Sequence, residues 1–214
     1  MSVITVGRGD ALLVIDVQND FCPGGPLAVP GGHEVVPAVN LIARRFPLVV
    51  ATQDWHPKGH CSFASTHAGK KPLETVVVGG TVQVLWPDHC VQGTRGADFH
   101  PMLDTAAFHY ILRKGTRQAV DSYSAFVEND RTTRTGLDGL LKGLGIERVF
   151  VCGLATDYCV AASARDAVSA GFSVVLIEDA CRGVDVPPGS LEEAIRTLRD
   201  LGVRMTTSSR VAQS

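Results

Sequence analysis

The stretch RVFVCGLATDYCVAASARDAVSAGFSVVLI, residues 148–177, decides the fold. Its β-branched run at 148–152 predicts a buried strand, residues 157–170 an amphipathic helix closed by Gly171, and residues 173–177 a second strand. A helical crossover between two successive strands is the connection that parallel pairing requires, whereas an antiparallel pair needs only a short turn. Working outward, residues 11–17, 48–52, 110–113 and 203–206 read as four further strands, and residues 33–45, 136–144 and 190–201 as helices. Gly145 and Gly202 follow the last two helices as C-caps do, and Ser190 with Glu193 makes a capping-box pattern. The expectation is an α/β chain with one six-stranded parallel sheet, helices on both faces, in three α/β/α layers.

The 214 residues are 45% hydrophobic and 20% charged, enough to bury one core, and residues 1–214 read as a single domain. A formal charge of −2 without a basic face argues against nucleic acid as a partner. No apolar run approaches the ~20 residues that a membrane span needs, so a membrane is not expected either. The start MSVITVGRGD does not read as a secretory signal, and six cysteines without a CxxC pair suit a reducing compartment, here the cytoplasm. The exception to the strand–helix alternation is an insertion at about residues 53–107, rich in Gly, Pro and His. A connection of that length is expected to be functional.

In an open parallel sheet, ligands bind beyond the carboxyl ends of the strands. Four predicted strands end in chemistry: the first on Asp16, the second before Asp54 and His56, the third before Lys114, and the fourth in the turn leading to Cys159. A lone cysteine is more often a small buried hydrophobe. An acid and a lysine expected at the same edge turn the reading towards a nucleophile: Asp16 accepts the thiol proton, and Lys114 holds the carboxylate. A helix starting near Thr156 or Asp157 would put Cys159 in its first turn, where the helix dipole favours thiolate. Cys152, inside the strand, is read as packing.

The second constellation is Asp54-Trp55-His56 with His60, joined across the insertion by Trp86-Pro87-Asp88-His89. Two imidazoles and a carboxylate suit one divalent transition ion, with zinc, iron and manganese all open. His67, His100 and His109 have no such setting.

Taken together, the segments DVQNDFC (16–22), DWHP (54–57), WPDHCVQ (86–92), Lys114-Gly115 and GLATDYCV (153–160) resemble the nicotinamidases of the isochorismatase-like cysteine hydrolases. The resemblance runs in order from about residue 10 to 182. It implies hydrolysis of nicotinamide, and of pyrazinamide, through a cysteine thioester, as a step in NAD salvage. It implies a catalytic triad of Asp16, Lys114 and Cys159, an oxyanion hole from the backbone N–H groups of Ala155 and Cys159, and a cis peptide between Leu154 and Ala155. It further implies a substrate pocket lined by Phe21, Trp86, Tyr123 and Ala155, and zinc as the first candidate for an ion held by Asp54, His56 and His89. His60 is either a fourth ligand or a residue facing the ion's water, and the second reading is favoured. A homo-oligomer is compatible with all of this.

Other readings stay in view. An amidohydrolase for N-carbamoyl compounds would need the triad but no ligand for a ring nitrogen, and isochorismate-cleaving relatives lack the cysteine. A dinucleotide-binding module would need a Gly-rich turn after the first strand, where DVQNDF stands instead.

Overall fold

In a computed structural model, which describes residues 3–213, the chain forms ten strands and four α-helices. In chain order they are β1 (Ile4–Val6), β2 (Asp10–Ile15), α1 (Val35–Ala43), β3 (Val49–Asp54), β4 (Thr75–Val78), β5 (Thr81–Val84), β6 (Tyr110–Lys114), α2 (Leu137–Gly143), β7 (Arg148–Leu154), α3 (Ala161–Ser169), β8 (Ser173–Arg182), α4 (Ser190–Asp200), β9 (Arg204–Thr206) and β10 (Val211–Gln213).

Six of the strands make the expected parallel sheet, in the order β6-β3-β2-β7-β8-β9. Every residue of β2 and β3 is buried. Since successive side chains of a strand point to opposite faces, unbroken burial means that both faces are covered. That is why these strands read as continuous apolar runs. Helices α1 and α3 each pack on β7 and β8, and Phe46 meets Phe150 edge-on at 4.9 Å within the core. From β2 the chain moves outward to β3 and β6, then returns to the other side of β2 with β7. The reversal puts the switch point of the sheet between β2 and β7, the place where such sheets bind ligands.

The boundaries differ from expectation where the site begins. β2 stops at Ile15 rather than at residue 17, because Asp16 takes φ 47°, a left-handed conformation that Asp tolerates better than most residues. β7 runs on to Leu154, and β8 continues to Arg182 past a register shift opposite Val151–Gly153. Gly153 is required there: its φ is 114°, and a Cβ would run into the backbone of Ile15 on the neighbouring strand.

Three features were not foreseen. The short strands β1 and β10 pair in parallel and tie the two ends of the chain together. Within the insertion, β4 and β5 form an antiparallel hairpin turning on Gly79-Gly80. The predicted capping box is absent: Ser190 Oγ instead donates to Asp157 Oδ2 at 2.7 Å. The start of α4 is served by Asp185 Oδ1, which accepts the N–H groups of Gly189 at 2.9 Å and Leu191 at 3.2 Å. Among the described residues no helix is long and apolar enough to cross a membrane.

Candidate active site

The four strand ends do converge. Lys114, 1% exposed at the end of β6, is the hub. Its ammonium lies 2.8 Å from Asp16 Oδ2, contacts Asp54 Oδ1, donates to the Ser122 carbonyl at 3.0 Å and reaches the Cys159 Sγ at 3.4 Å. Parallel register explains much of this. Asp54 and Lys114 are direct partners in the β3–β6 ladder, so their side chains leave the same face side by side. Asp16 is oriented by Thr52, whose Oγ1 donates to Asp16 Oδ1 at 2.6 Å and accepts the Asp16 N–H at 3.1 Å.

The charges set distinct proton affinities. Burial pushes the Asp16 carboxyl up to about 6 against the pull of Lys114. Burial also acts upward on Asp54, but Lys114, His56 and His89 together hold it well below the usual carboxylate range. Lys114 is held well above the ordinary lysine value because Asp16 and Asp54 outweigh its burial. The Cys159 thiol departs from expectation. Its turn, Thr156–Val160, is a π-helical turn ahead of α3, and burial together with Asp16 and Asp54 raises the thiol well above its usual value despite Lys114. A helix dipole alone therefore does not make the thiolate. A carboxylate oxygen of Asp16 lies within 4.8 Å of the Cys159 Sγ, which puts a proton acceptor beside the thiol.

On the other side of Asp54 lie two imidazoles. Asp54 Oδ2 is 3.6 Å from His56 Nε2 and 3.8 Å from His89 Nε2. The second ring nitrogens are tied back: His56 Nδ1 donates to the Gly115 carbonyl at 3.0 Å and His89 Nδ1 to the Pro87 carbonyl at 2.8 Å. Backbone acceptors of this kind fix the tautomer that leaves Nε2 free for a metal. Gly115 is glycine for this reason, since a Cβ would strike the His56 ring. Among the described residues His56 Nε2 is buried with no hydrogen-bond partner, and the ligand atoms of Asp54, His56 and His89 all lie within 4.8 Å of one another. An orphaned buried nitrogen beside a carboxylate and a second imidazole fits a divalent ion of the zinc type. His60 stacks on His56 at 4.2 Å, but both of its nitrogens are engaged, Nδ1 with Ser62 Oγ at 2.7 Å and Nε2 with the Val120 carbonyl at 3.2 Å.

One pocket touches both constellations. Phe21, Leu27, Val29, Trp86, Tyr123, Tyr158 and Val184 give it apolar and aromatic walls, while Ala155 and Cys159 line it beside Asp54, His89 and Asp121. The Trp86 indole N–H donates to the Tyr123 hydroxyl at 3.0 Å. Phe21, Trp86, Tyr123 and Ala155, the residues that the resemblance implies for a substrate pocket, all line it. The peptide between Leu154 and Ala155 is cis.

The segment after β2 has a further task that its sequence did not disclose. Gln18 accepts the Asp54 N–H at 2.8 Å and donates to the carbonyls of Asp54 and Ala97, each at 2.8 Å. Asn19 Nδ2 donates to the Arg95 carbonyl at 2.7 Å, and Asp20 Oδ2 accepts the Cys90 N–H at 2.7 Å. These three side chains bracket the insertion that delivers Trp86 and His89. Thr52, Ser122, Asp121, Leu27, Val29, Tyr158 and Val184 were also missed. Only the insertion's length hinted at the first group, and Thr52 looked like any β-branched strand residue. The three histidines read as having no ligand setting make hydrogen bonds within the protein: His67 Nε2 donates to the Cys61 carbonyl at 2.8 Å, His100 Nδ1 accepts the Met102 N–H at 3.3 Å, and His109 Nδ1 accepts the N–H of Val49, the first residue of β3, at 3.1 Å. All six cysteines are unpaired.

An isochorismatase-domain family model matches residues 10–210. The chain is 49% identical to a nicotinamidase of Acinetobacter baylyi over 201 residues, covering 94% of each. Its structure superposes on that of an Acinetobacter baumanii nicotinamidase and pyrazinamidase with a TM-score of 0.93 at 51% identity, covering 95% of this chain and 98% of the other. It also matches a pyrazinamidase of Pyrococcus horikoshii solved in complex with zinc, with a TM-score of 0.75 at 38% identity, covering 93% of this chain and 99% of the other.

Proposed function

The chain belongs to the isochorismatase family, and from that premise we propose that it hydrolyses nicotinamide to nicotinate and ammonia, a step in NAD salvage, and acts on pyrazinamide as well. The observation that carries this reading is the contact of Lys114 with Asp16, Asp54 and Cys159 beneath an aromatic pocket, which joins a nucleophile, a base and a polar ring anchor in one small site.

Asp16 takes the proton of Cys159, and the thiolate, steadied by the Lys114 ammonium, attacks the amide carbon. The backbone N–H groups of Ala155 and Cys159 receive the oxyanion of the tetrahedral intermediate. Asp16, now neutral, passes its proton to the amide nitrogen, ammonia leaves, and a thioester remains. Asp16 then takes a proton from water as it attacks the thioester, and Cys159 is expelled as thiolate. A carboxyl near 6 suits both directions of transfer around neutral pH. Phe21, Trp86 and Tyr123 hold the ring by stacking and exclude water. An ion bound by Asp54, His56 and His89 would supply a Lewis-acid contact for the pyridine nitrogen and so orient the ring. Zinc is the first choice, on the donor set and on the likeness to the zinc-bound pyrazinamidase. His60, with both nitrogens engaged, stays outside the ligand set. Six unpaired cysteines fit a cytoplasmic setting.

The test is ammonia release from a panel of small amides, with zinc-loaded and metal-stripped protein. Nicotinamide and pyrazinamide are expected to be turned over by the loaded form. Preference for an N-carbamoyl compound over both would overturn the substrate assignment.

A further inference from the structure

The connection from β8 to α4, residues 183–189, supplies Val184 to the pocket wall, yet it belongs neither to the sheet nor to the insertion. What holds it is the turn that carries the nucleophile. Asp157, two residues before Cys159, accepts the Val184 N–H at 3.0 Å through Oδ1, and the Asp185 N–H at 2.9 Å and the Ser190 hydroxyl at 2.7 Å through Oδ2. The next residue, Tyr158, donates its hydroxyl to the Val186 carbonyl. Its ring stands edge-on to Trp86 at 4.9 Å and meets Tyr123 at 5.6 Å. The wall segment is therefore clasped at three points, Val184, Asp185 and Val186, and at Ser190 where α4 begins, by two adjacent side chains, while Asp16 and Lys114 are fixed by β2, β3 and β6 and do not depend on it.

From this we infer that Asp157 is a positioning residue that sets the width of the ring pocket through Val184, and so determines which ring substituents the site accepts. The inference rests on the proposed reading of the pocket as the ring site. Removing the carboxylate leaves two backbone N–H groups and a hydroxyl without their acceptor. They turn to water, and Val184 leaves its place with them. Asp16 and Lys114 stay where they are, and the turn that carries Cys159 keeps its own backbone bonds, from the Tyr158 and Val160 N–H groups to the Ala155 carbonyl, each at 3.1 Å. A change of this kind raises KM for the natural ring and lowers the penalty for a larger one, with little effect on kcat.

The experiment compares wild type, Asp157→Ala, Val184→Ala, the double variant and the milder Ser190→Ala. Two readouts are taken: kinetics on nicotinamide and a 5-methyl-substituted nicotinamide, and alkylation of Cys159 by iodoacetamide and a bulky N-aryl iodoacetamide, mapped by mass spectrometry. Asp157→Ala is expected to raise KM for nicotinamide about tenfold with kcat within about threefold, and to narrow the preference for the smaller substrate and the smaller reagent. The double variant should be no worse than the stronger single one, because both act on one wall. Ser190→Ala should shift both preferences in the same direction by less, and it carries the test if Asp157→Ala does not fold. A fall in kcat at constant KM with unchanged alkylation preference, additive effects of the two substitutions, or an unshifted Ser190→Ala would overturn the inference. A wild type inactive on nicotinamide would instead strike the proposed function, and the alkylation arm would still decide the role of Asp157.

Discussion

The floor and the walls of the site are built by different means. Asp16, Lys114 and the turn to Cys159 stand at the ends of β2, β6 and β7, so strand register puts them together. Trp86, His89 and Val184 arrive on loops, held by side chains that act as brackets: Gln18, Asn19 and Asp20 for the insertion, Asp157 and Tyr158 for the segment before α4. The floor is charged and buried, and the walls are aromatic and aliphatic. On the proposed reading the chemistry belongs to the strand ends and the choice of ring to the walls that the loops deliver.

That division breaks first at the floor. Cys159→Ala and Asp16→Asn should each lower kcat by about 10⁴-fold or more in ammonia release, since members of a unit of this kind fail together. Binding of nicotinate, followed by quenching of tryptophan fluorescence, should survive in Cys159→Ala. Loss of binding along with turnover would mean that floor and walls are not separable.

A smaller effect is expected at the ion site. His89→Ala should cut metal content by about 10-fold or more, whereas His60→Ala should leave most of it, because the His60 nitrogens already have partners in Ser62 and Val120. Elemental analysis of both variants decides this. Equal losses would enlarge the ligand set to four. In either variant the Cys159 thiol should still react with iodoacetamide, as the floor is untouched.

The smallest effect sharpens the contrast from the bracket side. Gln18→Ala leaves the Asp54 N–H buried without its acceptor, while the Ala97 carbonyl keeps the Gln53 amide at 3.0 Å, and the loss costs about 1–3 kcal/mol in urea unfolding. Activity per folded molecule should fall mainly through KM. Unchanged stability would show that the insertion is held by its own contacts.

The same division governs what could be seen in the sequence. The floor was legible because one rule, ligands at the carboxyl ends of parallel strands, joins residues about a hundred positions apart once the strands are recognised. Asp16 and Lys114 needed only apolar runs that end in charge. The wall aromatics were reached through resemblance rather than through pattern, since nothing local at Tyr123 says that it faces Trp86. Asp157 and Val184 lie 27 residues apart, and a side-chain acceptor for a backbone N–H leaves no periodic trace. The β4–β5 hairpin did carry a signal, two β-branched runs around Gly79-Gly80, but it was hidden inside a segment read as loop. At the thiol two effects oppose each other: position at a helix start favours thiolate, and burial beside two carboxylates, which the sequence does not display, acts upward on the thiol.

The central claim is that the floor cleaves while the wall-side ion selects. The most direct test is the ratio of kcat/KM for nicotinamide to that for benzamide, measured on zinc-loaded protein. The aromatic walls would take both rings about equally, so stacking alone gives a ratio near one. A site that binds the ring nitrogen leaves its own polar group unpaired when that atom is missing, and a ratio of about 10⁴ or more is the result expected here. Similar values for the two amides would contradict the account, leaving the triad in place but removing the ion from substrate selection.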